Sequence, residues 1–365
     1  MMKPPFRADQ VGSLLRPAAL VEARAQFQCG AIDAAALRAV EDDSIRALVA
    51  RQEGVGLQGI TDGELRRDYW HIDFMRQLDG VTMTESSAAG MQFQGVAQPL
   101  IVSTTGKIRC AKPIMADDFA FLKSVTHRTA KVTIPSPSML HMRGGRTAVS
   151  RAAYPDIAEF WHDVGLAYQA AIQYFADRGC SYLQLDDVSF SYLCDEKFRA
   201  GTIENGDDPK RLPHTYAAAI NSALARKPAS MTVTMHTCRG NFKSSWVAEG
   251  GYETVAEAMF STAVDGFFME FDSARAGTFE PLRFLPPGKK VVLGLVTTKQ
   301  GAIEQADEIK RRIDAAAHYV PLDNLCLSPQ CGFSSTHHGN ALSHDEQWRK
   351  LELIVKVADE VWGKH

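Results

Sequence analysis

The sequence predicts an α/β protein of the (β/α)8 barrel type, with a hairpin and cap inserted after the second strand. Two observations carry that reading. Short apolar or β-branched runs alternate with stretches of helical periodicity, the order expected of βαβ units and a parallel sheet. Eight such runs fall within the 365 residues, the strand number at which a barrel of this kind closes. A doubly wound open sheet is the alternative arrangement of the same units. No Pro-, Gly- or Ser-rich linker and no internal repeat divides the chain, so residues 1–365 read as one domain.

In chain order the strand-like runs are Arg7 to Gly12, Leu57 to Thr61, Lys131 to Pro135, Tyr182 to Leu185, Thr232 to Met235, Gly266 to Met269, Val291 to Leu295 and Asn324 to Leu327. Apolar residues recur at three- and four-residue spacing in Ile32 to Glu53, Asp156 to Asp177, Thr215 to Ala225, Glu253 to Thr262, Ile303 to His318 and His344 to Trp362, which marks these as helices. The stretch from Asp73 to Ala130 is longer than a barrel loop requires. Its Gly/Ser/Met-rich part, Thr82 to Gln98, and the apolar segment Ile101 to Thr104 read as the inserted hairpin and cap, at about residues 74–130.

Composition narrows the function. Hydrophobic residues make up 45% of the chain and charged residues 23%, an ordinary globular balance. A net charge of -3 provides no basic field for phosphates, which argues against nucleic-acid binding. No apolar run reaches the ~18 residues of a membrane span. The opening Met1 to Arg7 carries charge without an apolar segment after it, so the sequence predicts a cytoplasmic protein without a secretory leader. Seven scattered cysteines, an odd number, then read as reduced thiols available for packing or metal. Nothing in the sequence specifies an oligomeric state.

In a barrel of this type the functional groups sit just after the strands, and the polar clusters obey that demand. They are Gln10 to Ser13, Asp62-Gly63-Glu64, Asp186-Asp187, His236-Thr237-Cys238, Glu270-Phe271-Asp272 and Gln330-Cys331-Gly332. His236 and Cys238, two residues apart at a strand end, point to one face. Alone, that spacing more often reflects a core histidine beside a buried thiol. Cys331 occupies the analogous place after a different strand, and one nitrogen with two thiolates suits zinc. Three protein ligands with one exchangeable position is the pattern of a catalytic site, and Glu270 is the natural fourth occupant. Sulfur-rich ligation points to thiol chemistry, because a bound thiol loses its proton at neutral pH and becomes a nucleophile.

Plainer roles suit other residues. Asp62 and Asp187 read as helix caps; Arg239 and Lys299 either hold a substrate carboxylate or brace loops. His337-His338 reads as a surface pair or a proton shuttle, Trp70 and Trp161 as core or cap residues, and the remaining cysteines as packing thiols.

His236-Thr237-Cys238, Glu270 and Ser328-Pro329-Gln330-Cys331-Gly332 resemble the zinc motif of cobalamin-independent methionine synthase, specifically its catalytic C-terminal barrel. Cys238-Arg239-Gly240-Asn241-Phe242 and Cys326 to Phe333 are similar to a short, single-barrel, methionine synthase II-like branch. The resemblance implies a zinc-dependent methyltransferase that passes a methyl group to the thiolate of homocysteine to give methionine. It places the Zn2+ ligands on His236, Cys238, Glu270 and Cys331, with Glu270 and Asp186 as catalytic groups. It places the amino-acid end of homocysteine on Gly12, Ser13, Glu64 and Asp186, and a pterin-proximal dipeptide on Arg109-Cys110. Two positions depart from the family: Met142 stands where a stacking Trp is expected, and Thr297 where a proton-shuttling His is expected. The methyl donor, methyltetrahydrofolate or another compound, stays open. Two alternatives keep the pocket: alkyl transfer to another thiol, as in epoxyalkane:coenzyme M transferases, and non-catalytic binding of zinc or an amino acid.

Overall fold

The computed structural model describes residues 3–85, 92–93, 96–97 and 100–364. Its centre is a seven-stranded, wholly parallel sheet. The strands are β1 (Gly59–Ile60), β2 (Thr129–Pro135), β3 (Tyr182–Asp187), β4 (Thr232–Thr237), β5 (Gly266–Glu270), β6 (Lys290–Val296) and β7 (Leu325–Pro329). They lie side by side in sequence order with no reversal, so each crossover turns the same way and the sheet curls into a half-barrel.

Strand alternation sorts the side chains into two faces. Register pairs Asp186 with His236, His236 with Phe268, Phe268 with Val292, Val292 with Cys326, and Glu270 with Gly294. These residues share the concave face, where Phe268, Val292 and Cys326 pack with Val11 as a small apolar cluster. The alternate residues, such as Leu183, Met235, Phe267, Met269, Leu293 and Leu327, join the large core beneath the helices. That core is closed from outside by amphipathic helices. Ile157–Asp177, for instance, starts at Asp156, whose side chain accepts from Ala158 N, and buries Phe160, Val164, Tyr168, Ile172 and Phe175. The last helix, His344–Trp362, starts from a Ser343/Glu346 capping box and buries Leu351, Ile354 and Val357.

The run expected as the first strand, Arg7 to Gly12, forms no ladder. It meets β7 through one isolated parallel bridge, Ala8 with Leu327, made by Asp9 N to Leu327 O at 3.0 Å and Leu327 N to Arg7 O at 2.8 Å. The Asp9 carboxylate accepts from its own backbone, Phe6 N at 3.1 Å and Gln10 N at 2.8 Å, and so pulls the segment out of strand geometry. Toward β1 and β2 the segment is tied by side chains. Gln10 Nε2 donates to Thr61 Oγ1 at 3.1 Å, Thr61 Oγ1 donates to Gly12 O at 2.7 Å, and Lys131 Nζ meets Asp9 Oδ1 at 3.2 Å. Asp9 and Lys131 are wholly buried, and Tyr182 donates its hydroxyl to the same carboxylate at 2.8 Å.

Other elements also differ from expectation. The predicted helix Ile32 to Glu53 is present as Ala34–Val55, but it is preceded by Ala18–Gln28, which buries only Leu20 and Ala23 and leaves no apolar stripe to read. Glu253 to Thr262 breaks into the 3-10 turn Tyr252–Thr254 and the short helix Ala256–Phe260. Between β1 and β2 lie an antiparallel pair, Asp79–Glu85 with Leu100–Arg109, and the helix Ala116–Val125. Of the run Thr82 to Gln98, residues 86–91, 94–95 and 98 lie outside the described residues. Among the described residues no helix is long and apolar enough to cross a membrane.

The Asp9–Lys131 pair generates a prediction. Lys131→Met keeps the bulk but leaves Asp9 as a buried, unpaired carboxylate, a change that costs about 3–5 kcal/mol in comparable pairs. Urea unfolding at pH 7 is expected to show a loss of that size; a loss below about 1 kcal/mol, the scale of an exposed pair, would show that the ion pair is not what anchors the N-terminal segment.

Candidate metal centre

Three strand ends converge at the open end of the curled sheet and bring four candidate ligands together. His236 is the penultimate residue of β4 and Glu270 the last of β5. Cys238 follows β4, continuing its pairing through Cys238 N to Asp187 O at 2.7 Å, and Cys331 lies two residues beyond β7. The imidazole nitrogen, the two thiols and the carboxylate place one ligand atom each within 4.8 Å of one another, and all four residues are buried. Cys238 Sγ and Cys331 Sγ are 3.6 Å apart, close to the ~3.8 Å between two thiolates on a tetrahedral zinc with ~2.3 Å bonds. His236 Nε2 is 4.0 Å from Glu270 Oε1, while Nδ1 lies 3.6 Å from Asp186 Oδ1. That is the usual outer partner of a metal-bound histidine. The donor set therefore fits zinc.

The electrostatics agree. Burial opposes charge on His236, but hydrogen bonding to Asp186 and the neighbouring Cys331 and Glu270 outweigh it and push the imidazole up to about 9. Within the thiol pair, the hydrogen bond from Cys238 lowers Cys331 while it raises Cys238. Burial also opposes charge on Glu270, yet Lys299, Arg275, His236 and Arg239 together hold it below the ordinary carboxylate range. Glu270 is fully buried, with Oε1 accepting from Arg239 N at 3.1 Å and Oε2 paired to Arg275 Nη2 at 3.0 Å. A dication that binds such a buried group of potential anions and imidazole would take the place of the protons they otherwise hold.

Beside these ligands is a small cavity lined by His236, Cys238 and Cys331 together with Ser13, Glu64 and Asp186. Glu64 occupies a left-handed backbone conformation, φ 57°, in the Asp62-Gly63-Glu64 turn, which Asp62 stabilises by accepting from Glu64 N at 2.9 Å. Such strain in a non-glycine residue persists where a site demands it. Thr133 donates to Glu64 Oε1 at 2.9 Å, and Oε2 is buried without a partner. Burial pushes the Glu64 carboxyl up to about 7, with Arg67 opposing and Asp186 adding. Gly12 is required beside it, because a Cβ there would stand 2.9 Å from Glu64 Oε1. Gly12-Ser13 also locks onto the segment after Cys331: Phe333 N donates to Ser13 O at 2.9 Å and Ser334 N to Ser13 Oγ at 3.3 Å.

Other sequence-predicted residues lie elsewhere. Arg109 and Cys110 line a separate cavity with Glu159 and Asp163. Met142 is buried in the core. Thr297 donates its backbone N–H to Glu304 Oε1 at 2.8 Å. Asp187 is turned from the cavity, accepting from Ser189 Oγ at 2.8 Å and Phe190 N at 3.1 Å. The cavity also recruits Trp70, Arg143, Tyr192, Asn241 and Ser335, which the sequence did not single out as site residues. Asn241, whose Nδ2 donates to Gly332 O at 2.9 Å, was within reach, since it lies in the string that follows Cys238. Arg143 and Tyr192 carry no local signal because loop packing, not spacing, brings them in.

Known proteins resemble the chain throughout. A family profile described as "Cobalamin-independent synthase, Catalytic domain" matches residues 6–360. The uncharacterized protein YxjG of Bacillus subtilis is 47% identical over 99% of this chain and 96% of its own. The crystal structure of a putative vitamin-B12 independent methionine synthase from Listeria monocytogenes, 41% identical, superposes with a TM-score of 0.80 over 100% of both chains. A B12-independent methionine synthase from Shewanella sp. W3-18-1, solved in complex with selenomethionine, shares the fold at 18% identity, with a TM-score of 0.72 over 97% of each chain. With its fold, its buried sulfur-rich ligand set and this match along nearly its whole length, the chain belongs to the cobalamin-independent methionine synthase family and is a methyltransferase.

Proposed function

We propose that the chain transfers a methyl group to the thiol of homocysteine, giving methionine, with zinc held by His236, Cys238, Glu270 and Cys331. One observation supports this most: His236, Cys238 and Cys331, three of the four buried candidate ligands, line a single cavity with the groups suited to an amino acid's ammonium and carboxylate. When bound, zinc supplies a Lewis acid that lowers the thiol's pKa, so that sulfur is presented as a thiolate. The protein's own groups do the rest. Glu64 and Asp186 are two carboxylates suited to the substrate ammonium, and the Ser13 hydroxyl suits its carboxylate. Asp186 also faces His236 Nδ1 and fixes the ring so that Nε2 looks toward Glu270. Arg275 and the Arg239 N–H hold the Glu270 carboxylate and would stabilise its charge whether or not it is bound to the metal.

A pocket for methionine is in keeping with the selenomethionine in the Shewanella protein. The same two carboxylates count against a sulfonate thiol, which has no ammonium to meet them and would add a third anion. In this reading Arg7 to Asp9 closes the sheet as the eighth strand position of one barrel domain, with the antiparallel pair as its cap. All seven cysteines are unpaired, in keeping with a reducing cytoplasm.

Zinc-edge X-ray absorption on the purified protein tests the proposal. Adding homocysteine is expected to add a sulfur neighbour and remove a light one; an unchanged shell overturns the thiol reading. Cys331→Ser is expected to keep the fold by circular dichroism but to lose zinc, and to lose turnover by more than the ~10–100-fold typical of outer partners.

A second expectation concerns pH. Because burial holds the Glu64 carboxyl near about 7, its charge is present above that pH and lost below it. Calorimetric titration with methionine is expected to show affinity falling by up to about tenfold per pH unit as pH drops below 7, and Glu64→Gln is expected to flatten that slope. A slope unchanged in Glu64→Gln would remove Glu64 from the ammonium site.

A further inference from the structure

Lys299 is a cation beside the candidate ligands that has no ion-pair partner. β6 lies between β5 and β7 in the sheet, so the loop after β6, which carries Lys299, emerges between Glu270, the last residue of β5, and Cys331, two residues beyond β7. That loop is clamped to the Cys331 side. Thr298 N and Oγ1 donate to Gln330 Oε1 at 2.6 and 3.0 Å, Thr298 Oγ1 also lies 3.1 Å from Gly332 O, and Asn340 Nδ2 donates to Thr298 O at 3.0 Å. From this seat the half-buried Lys299 sends Nζ to Asn241 Oδ1 at 3.5 Å. Asn241 follows Cys238 by three residues and donates to Gly332 O at 2.9 Å and to Ser335 Oγ at 3.2 Å; Ser335 Oγ lies 3.8 Å from Cys331 Sγ. The ammonium is thus held where the segments that follow both thiols meet. Arg275 takes Glu270 and Asp272 at 3.0 and 2.7 Å, and among the described residues no carboxylate pairs with Lys299.

A cation placed this way answers a charge that arrives with the substrate. Taking up a thiol as its thiolate, with the proton given to solvent, adds one negative charge to a buried group that already holds two thiols and a carboxylate. Desolvated charge of that kind needs a nearby cation. Arg275 is shared by two carboxylates, and the Arg239 guanidinium lies over the Tyr252 ring. Lys299 is seated by the loops and uncommitted, and its compact ammonium acts as a point charge. The electrostatics of the resting site agree. Burial raises Glu270, and of the charges that outweigh burial Lys299 comes first; after the hydrogen bond from Cys238, it also favours ionisation of Cys331.

We propose that Lys299 is a positioning residue whose charge stabilises the substrate sulfur as a thiolate and so selects the incoming thiol over the thioether product. The inference rests on the thiol reading given above and deepens it. Substrate and product share the same ammonium and carboxylate, so Glu64, Asp186 and Ser13 hold both alike. They differ at sulfur, which is anionic in one and neutral in the other. Only the anion gains from a cation at the ligand set, and specificity is that difference in affinity.

Two variants separate charge from bracing. Lys299→Gln keeps a donor for Asn241 Oδ1 and removes the charge, whereas Lys299→Arg keeps the charge. Homocysteine and methionine are titrated by calorimetry at pH 7 into each full-length, zinc-loaded protein, and the zinc-edge spectrum is recorded at each homocysteine concentration. In Lys299→Gln, homocysteine is expected to bind about tenfold more weakly, with the sulfur gain at the zinc edge moving to correspondingly higher concentration, while methionine affinity changes less than twofold. Lys299→Arg is expected to restore most of the homocysteine affinity. Equal loss of both ligands in Lys299→Gln, or a loss that Lys299→Arg shares, would make Lys299 a brace for the loops and overturn the proposal. So would loss of zinc from Lys299→Gln before any thiol is added, which would assign the charge to the resting ligand set. A wild-type spectrum that gains sulfur, with Lys299→Gln matching it, overturns this inference alone; a wild-type spectrum that gains none overturns the thiol reading and this inference with it.

Discussion

A cluster of buried acidic groups at the carboxyl ends of β3, β4, β5 and β7 is the constraint around which the rest of the structure is arranged. Glu270, Asp186, Cys238 and Cys331 are all buried, and Glu64 is buried beside them. Such a group is stable only where cations and donors are close enough to repay desolvation. The protein meets this from behind the site rather than from the cavity. Arg275 reaches Glu270 from the turn after β5, where it also pairs with Asp272 at 2.7 Å and lies over the Trp246 ring. The Arg239 guanidinium is fully buried over the Tyr252 ring at 4.5 Å. Arg67 holds the backbone of β2 by donating to Thr133 O at 2.7 Å while its charge serves Glu64. None of these three guanidiniums lines the cavity.

The parallel sheet makes this arrangement possible. Its concave face changes character along and across the strands: Phe268, Val292 and Cys326 fill the apolar level, His236 stands in register with Phe268 on the neighbouring strand, and Glu270 follows two residues after Phe268. The apolar level also holds the Asp9–Lys131 pair, whose Lys131 Nζ lies 4.1 Å from the Phe268 ring. That pair sets the height of the N-terminal segment, and the height decides where Gly12 and Ser13 emerge. Ser13 then meets the backbone after Cys331, through one main-chain bond to its carbonyl and one to its hydroxyl, so the N-terminal segment is tied directly to the chain that follows Cys331.

The ligand set was legible because each member sits at a strand end, where a period of two decides which way a side chain faces. His236 and Cys238 are two residues apart, and Cys331 repeats the position on another strand. The strands from β2 to β7 were legible for the same reason, as buried apolar runs. The first strand was over-read, since a carboxylate that bonds its own backbone at Asp9 leaves no mark in an apolar pattern. The helix Ala18–Gln28 was missed because two buried residues make no stripe. Trp70, Arg143 and Tyr192 lay beyond sequence reasoning for a different reason: their places are set by how loops after separate strands fold over the cavity, and no local spacing records that.

The cavity's walls are built by different means. The acceptor half stands on strand ends and on the hydrogen-bonded Gly12-Ser13 and Cys331-Gly332 segments, where a Cβ on Gly332 would stand 1.9 Å from Ser13 Oγ. Such close fitting tolerates little substitution. The opposite wall stands on the 3-10 turns Pro137–Leu140 and Gly145–Ala148 and on the short helix Ser189–Leu193. Loops of this kind can exchange side chains without disturbing the sheet. Met142 and Arg143, adjacent in sequence, divide the work there: the apolar side chain is buried in the core and seats the loop, and the next residue lines the cavity.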